Sequence, residues 1–390
     1  MFVPVAVARS ITAAHTGFLP LRAVCGGCLS YSLPENIMRI LNRRCLPVLL
    51  LSCMLPLTSP DASAQPVRYS ATEIGILPGL VSSNAASINN AGQIAGNSFD
   101  DANHPTPFVY AGGQLSALPG SEPGFRAYTI NDAGMIAGAT DSGHAFRYVN
   151  GTITFLNPAT PDASARSLTF GMNEAGTIVG ASTGDGRPWR AFVAEGDVIH
   201  ELDIPGESLG YAINNRGEVT GVLRATNSHR GFLYSNGTYV DIGDLGSTYT
   251  VTSDINDTGA VVGQTGSEAF IYENGAMRGL GSLTAGTESH ALAINNRGQV
   301  VGRVVDEAGH LIPFLWQDDT MYDLRDLVDP GFAWGTYVDV TDINERGQIV
   351  GMNCAATCVA FVLTPVPEPF MAALLGPGLG LLGLRLRRRT

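Results

Sequence analysis

Lysine is absent from the 390 residues, so all 23 basic side chains are Arg. Charged residues of both signs make up only 15% of the chain, too few for a charge-laced helical bundle or coiled coil. Between residues 65 and 366 the shortage of positive charge is sharper. There 14 Arg face 32 acids, a balance of −18. A surface that acidic argues against nucleic acid and against anionic membrane as partners. Cysteine is also scarce. Four of the six precede residue 65, which leaves Cys354 and Cys358. Long apolar runs are rare too: the two candidates, at 45–57 and 370–384, are short for a membrane span. What is abundant is apolar residues (45%) and Gly (47 residues). That excludes a disordered chain and favours an all-β architecture with many turns.

The two ends read as addresses. Arg39, Arg43 and Arg44 precede the apolar run 45–57, and Ala62-Ser63-Ala64 ahead of Gln65 fits an A-x-A cleavage site. Residues 38–64 are therefore expected to be a secretory signal peptide, cut between Ala64 and Gln65. Residues 1–37 carry no repeat and stand before a complete signal that opens with Met38. They are expected to be a mis-assigned N-terminal extension. At the other end, Pro367-Glu368-Pro369 precedes the apolar stretch 370–384, and Arg385, Arg387, Arg388 and Arg389 follow it. Fifteen residues make roughly 22 Å of helix at ~1.5 Å each, marginal for a transmembrane helix. The basic end would stay cytoplasmic. Residues 365–390 resemble a PEP-CTERM sorting signal, with all three of its parts in order. That resemblance implies recognition by an exosortase-type processing enzyme and transient anchoring in the inner membrane of a Gram-negative bacterium. Release or surface retention beside exopolysaccharide, as in a biofilm, would follow. For an exported chain, Cys354-x3-Cys358 reads as a small disulfide, since a metal site would need further ligands nearby.

Between the ends one pattern recurs seven times: Ile (once Met), Asn, two residues, Gly, any residue, Ile or Val, any residue, Gly. Its Asn residues are 89, 131, 173, 214, 256, 295 and 344, spaced by 42, 42, 41, 42, 39 and 49. A second motif interleaves. Phe108, Phe146, Phe192, Phe232, Phe270, Phe314 and Phe361 each follow a small residue or Pro, and a turn such as Asn150-Gly151 or Asn236-Gly237 comes soon after most. Asn-Gly between alternating apolar runs signals a hairpin, because both turn residues take φ > 0. Each repeat thus predicts four strands. Strand a ends at Ile-Asn, Asn-x-x-Gly closes the a–b turn, strand b carries Ile/Val-x-Gly, strand c carries Phe, and strand d follows the Asn-Gly turn.

Four antiparallel strands in ~40–45 residues make one blade of a β-propeller. Residues 66–364 are therefore expected to form seven blades. The domain opens on a d-like strand (69–76) and ends on a c strand, so the N-terminal strand should complete the seventh blade and hide its edge. The repeats resemble the extracellular HAF-repeat family, whose signature stands outright at His144-Ala145-Phe146. That resemblance implies an exported repeat protein and brings no catalytic residues.

Three short matches to chemical motifs read as structure. Gly206-Glu207-Ser208-Leu209-Gly210 matches a nucleophile elbow, but no helix is predicted after it. Gly378-Leu379-Gly380-Leu381-Leu382-Gly383 matches a dinucleotide fingerprint inside an apolar run with no strand before it. The loops starting at Asp254 and Asp342 resemble calcium loops, yet they lack a closing carboxylate, their fifth position holds Thr258 and Arg346, and an Arg there would repel the ion. No metal or cofactor is predicted.

Function is expected on the face that carries the b–c loops and d–a connections, which vary while the opposite turns are uniform. The candidate ligand residues there are Asp100 and Asp101, the group Asp185, Arg187, Trp189 and Arg190, and Asp306 and His310. An exposed Trp189 would stack on a sugar ring. The expected function is a surface-displayed or secreted binding or matrix protein associated with exopolysaccharide. The alternatives are a secreted polysaccharide-active enzyme, which would need paired carboxylates, and a structural spacer.

Overall fold

The repeat Asn does more than turn the chain. In the fifth repeat the Asn256 Oδ1 accepts the N–H groups of Thr258 and Ala260 (3.1 and 3.0 Å), and Gly259 takes φ +88°. The Asn256 Nδ2 then donates to the main-chain carbonyl of Asn295, the corresponding residue of the next repeat, at 3.1 Å. Every repeat does the same: Asn89 to Asn131, then 173, 214, 256, 295, 344 and back to Asn89, over 2.9–3.4 Å. All seven Asn residues are buried. Seven donors and seven acceptors close a circle.

That circle belongs to a seven-bladed β-propeller. The computed structural model describes residues 67–156 and 164–367, and these contain seven four-stranded antiparallel sheets. In each, strand a lies innermost and strand d outermost. Packing between consecutive sheets, and between the seventh and the first, completes the ring. The core lies between the blades: Ala95 and Leu118 of blade 1, for example, pack with Ala127, Ile130, Ile136 and Phe146 of blade 2.

The Gly of strand b and the Phe of strand c are direct cross-strand partners in all seven blades, Gly138 with Phe146 among them. Each Phe is fully buried, and in blades 1 to 6 its ring lies over the Gly. A Cβ at Gly138 would overlap the Arg126 carbonyl and come within 2.7 Å of the Phe146 ring. The two motifs of the repeat are thus the two halves of one contact. The Asn-Gly turns adopt the predicted left-handed pair, with φ 48° and 88° at Asn150 and Gly151.

The N-terminal strand Arg68–Gly75 pairs antiparallel with Cys358–Val366 as the outermost strand of blade 7. It is gripped from the side as well. The 49-residue last spacing accommodates a long d–a connection with a four-residue helix, Leu324–Leu327, capped by Asp323. Beyond the helix, the Asp329 N–H donates to the Tyr69 carbonyl, while the Arg68 guanidinium reaches the Asp326 carbonyl. Tyr69 is fully buried in the blade 6–7 core.

The last strand runs to Val366, two residues past the expected edge. Cys354 and Cys358 face each other at the end of the blade 7 b–c hairpin and are joined in a disulfide. Among the described residues no helix is long and apolar enough to cross a membrane. The expected signal peptide with its Ala64–Gln65 junction lies outside the described residues. So do Glu368, Pro369 and the Arg cluster 387–389 of the expected sorting signal.

Candidate functional site

Two concave regions stand out: the central channel and a cavity on the variable face. The channel is shaped by an irregularity that recurs in all seven a strands. The residue three before the repeat Asn is skipped in the a–b register, a β-bulge at Ala86, Tyr128, Phe170, Tyr211, Ser253, Leu292 and Thr341. A bulge re-aims its side chain. All seven line a channel cavity of about 240 Å³. Blades 2, 3 and 4 contribute an aromatic arc. Phe170 meets Tyr211 edge-on at 5.2 Å, and Tyr128 lies 6.5 Å from Phe170.

The other arc is polar. Asp254 and Asp342, both two residues before the repeat Asn, line the same cavity together with Ser87, Ser253 and Thr341. Each carboxylate staples its own blade to the next. Asp254 accepts N–H bonds from Ile255 and from Ile294 of blade 6. Asp342 accepts from Ile343, and from the Ile88 N–H and Ser87 hydroxyl of blade 1. Burial pushes the Asp254 carboxyl up to about 7, the Ile294 N–H pulls it back, and the charge of Asp342 adds to the rise. Asp342 is raised for the same first reason, burial.

Toward the uniform face the channel opens into a second cavity of about 300 Å³ that shares Met172, Ile213 and Asp254 in its wall. Its rim is a second circle, made by the residues after the repeat Asn. Each main-chain N–H donates to the next side chain: Asn90 to Asp132, then Glu174, Asn215, Asp257, Asn296, Glu345 and back to Asn90. Burial raises the Glu174 carboxyl. Among the described residues no basic side chain lines either cavity.

On the opposite face, a cavity of about 1080 Å³ lies between the outer parts of blades 1 and 2. Glu122, Pro123 and Gly124 of the d–a connection line it, with Asp141 and His144 of the blade 2 b–c loop and His104 of blade 1. Phe125, 6.0 Å from Phe155, supplies its apolar wall, and Phe155 is 48% exposed. Asp141 also faces the Arg126 guanidinium at 3.6 Å.

The structure distributes the sequence-expected loop residues over three blades, not one cluster. Asp100 and Asp101 sit on blade 1, and Asp306 and His310 on blade 6. Asp100 and Asp306 hold equivalent loops, each accepting main-chain N–H bonds at the second and fourth residues beyond and facing the His at 3.1 Å. Those N–H bonds, the His104 and His310 ones foremost, hold both carboxyls below the ordinary range. Asp185, Arg187, Trp189 and Arg190 are on blade 3. Trp189 is half-buried against Ala181, Leu209 and Val222, which corrects the expectation of an exposed ring. Arg187 turns to Glu201 at 3.2 Å, and Arg190 donates to the Gly206 carbonyl. The blade 4 b–c loop is only two residues, because the flanking strands extend to Ala225 and Ser228.

Ser208 of the elbow-like motif is fully buried, and its hydroxyl accepts the Ala191 N–H at 3.0 Å. Ser167 and Ser289 hold Ala145 and Ala269 in the same way. It is a blade-to-blade fastener. Among the described residues no three His, Cys, Asp or Glu side chains group as a metal would require.

No family model and no curated protein matches the sequence. Solved structures match the fold. An oligogalacturonate lyase from Vibrio parahaemolyticus is 11% identical over 79% of this chain and 96% of its own, with a TM-score of 0.55. The β-propeller domain of the Trilobed protease from Pyrococcus furiosus, described as having an open velcro topology, is 12% identical over 74% and 98%, at 0.50. A puromycin-hydrolyzing peptidase from Mycobacterium tuberculosis is 10% identical over 74% of this chain and 52% of its own, at 0.51. At such identities the likeness is one of fold, and a propeller hosts many functions.

Proposed function

We propose that the chain is an exported propeller, surface-displayed or secreted, that binds extracellular polysaccharide through the cavity between blades 1 and 2. One observation carries this reading: half-exposed Phe155 stands beside Phe125 in an open cavity rimmed by Glu122, Asp141, His104 and His144. Aromatic faces pack on the C–H surface of a sugar ring, while carboxylates and imidazoles take its hydroxyl protons. A polymer needs a groove of this size, and the channel, at about 240 Å³ against about 1080 Å³, is too small for one. The expected PEP-CTERM segment fits the reading, with an exosortase as processing partner and exopolysaccharide as the surroundings.

The test is binding of the full chain to an oligosaccharide array, repeated with Phe155→Ala and Trp189→Ala. Phe155→Ala is expected to weaken binding at least tenfold, about 1.4 kcal/mol, with little change from Trp189→Ala. The reverse pattern moves the site to blade 3. Cleavage of a bound oligosaccharide makes the protein an enzyme, and binding to none leaves a structural spacer.

A further inference from the structure

The channel has a chemistry of its own, independent of the polysaccharide reading. Its cavity of about 240 Å³ suits one small molecule. One arc of its wall is three canted aromatic rings on consecutive blades, and two carboxylates lie on the remaining arc. Aromatic rings present negative faces, and a cation held over them within ~6 Å is attracted more strongly as it is desolvated. Ser253 and Thr341 add hydroxyl oxygens, and the Thr341 proton already goes to the main-chain carbonyls of Ala85 and Val350, which leaves its lone pairs to accept. Four more carboxylates stand in the rim: Asp132, Glu174, Asp257 and Glu345. Among the described residues lining the two cavities the charged side chains are all carboxylates, a concentration of negative charge that favours a cation.

We propose that the central channel binds a small organic compound carrying a primary ammonium group, with its apolar body against Tyr128, Phe170 and Tyr211 and its ammonium at Asp254 and Asp342. A bare metal ion would have no use for the rings, and a neutral molecule no use for the two carboxylates. An ammonium on an apolar body matches both walls. Its three donors meet oxygen acceptors of Asp254, Asp342 and the neighbouring hydroxyls, as charge-assisted hydrogen bonds. The raised carboxyls of Asp254 and Asp342 accord with this, because a bound cation would return both to the ionised form.

Two probes of one shape isolate the charge: cyclohexylammonium and cyclohexanol, titrated into the full chain by calorimetry at pH 7.5. Cyclohexylammonium is expected to bind at least tenfold tighter, with protons released as the carboxyls ionise. Tyr211→Leu and Asp254→Asn, checked for folding by circular dichroism, should each weaken it at least fivefold, while Phe155→Ala should not. Equal affinity for the two probes would overturn the proposal, as would no binding of either. Calcium ion competing with the amine at equal concentration would also overturn it, by making the channel an inorganic cation site. The wild-type comparison needs no variant, so a variant that fails to fold leaves the proposal testable. Glycan binding lost with Phe155→Ala would bear on the groove alone.

Discussion

Asn344 holds the seam where the last blade meets the first, and its replacement measures what the circle of asparagines contributes. Its Oδ1 accepts the N–H groups of Arg346 and Gln348 at 3.0 and 2.9 Å. Its Nδ2 donates to the Asn89 carbonyl at 2.9 Å and to the Gln348 Oε1 at 3.0 Å. Asn344→Ala removes all four bonds and leaves two turn N–H groups and one inter-blade carbonyl without that partner. A net bond is worth ~1 kcal/mol and an orphaned buried group ~1–3, and water reaching the turn offsets part of this. The expected loss is about 2–4 kcal/mol. Asn344→Asp separates the two halves of the role. It keeps both accepted bonds but turns a carboxylate oxygen toward the Asn89 carbonyl, which cannot rotate away. Its folded pKa should then lie above the unfolded ~3.9, so the variant loses stability as pH rises from ~3.9 through the folded pKa and regains it as pH falls back across that window. Asn344→Ala should show no such slope relative to wild type. Urea unfolding followed by fluorescence of Trp189, Trp316 and Trp334 reads both, at pH 4.5 and pH 8. A cost below ~0.5 kcal/mol for Asn344→Ala, or an Asp variant with no added pH dependence, would refute the reasoning.

Three further outcomes are expected. Removing residues 67–75 should shift the whole urea transition in one step by several kcal/mol, since Tyr69 alone is a fully buried aromatic worth ~3–5 kcal/mol; an unchanged midpoint would show that the strand does not close the ring. Gly138→Ala forces a Cβ into the Arg126 carbonyl and the Phe146 ring, and should cost at least ~2 kcal/mol by the same assay, whereas Gly151→Asn in the exposed blade 2 turn should cost less than half as much. Because the Asp254 carboxyl sits near 7 folded and near 3.8 unfolded, folding takes up a proton between these values. Wild-type stability should therefore fall as pH rises from about 4 to about 7 and level off above, by at most ~1.4 kcal/mol per pH unit. Asp342 acts in the same direction, so Asp254→Asn should flatten this slope without abolishing it; a slope identical to wild type would place the titration elsewhere.

The fold was legible in the sequence because its repeated residues answer backbone requirements that hold in any propeller of this kind. Asn-x-x-Gly and Asn-Gly encode turns, and a d strand ahead of the first repeat announces closure. The partnership of Gly138 with Phe146 was visible only as two separate motifs, since nothing in a linear chain says that one ring lies on the other glycine. The channel was hidden for two reasons. Strict alternation puts Tyr128 on the same side as Ile130, and only the bulge turns it toward the axis. Asp254 and Asp342 are 88 positions apart and share a cavity only after the ring closes. A faint signal existed: aligned on the repeat Asn, the position two before it is Ser, Thr, Gly, Ala, Asp, Ala and Asp. The partial burial of Trp189 is not legible in the sequence, because a loop residue carries no mark of the neighbouring blade that covers it.

The hydrogen bonds between successive asparagines all run one way, each blade giving to the one after it. Because every blade carries the same donor and the same acceptor in this circle, any blade can follow any other as far as these bonds are concerned. Tandem duplication or loss of one repeat would leave no asparagine unmatched, only a ring of different circumference. The seam is equally indifferent to where the gene begins. A rearranged chain starting between two later blades would meet the same pairings, provided that some strand still overlaps the first and last blades. Such a molecule can change its loops, and even its number of parts, without renegotiating the bonds of this circle.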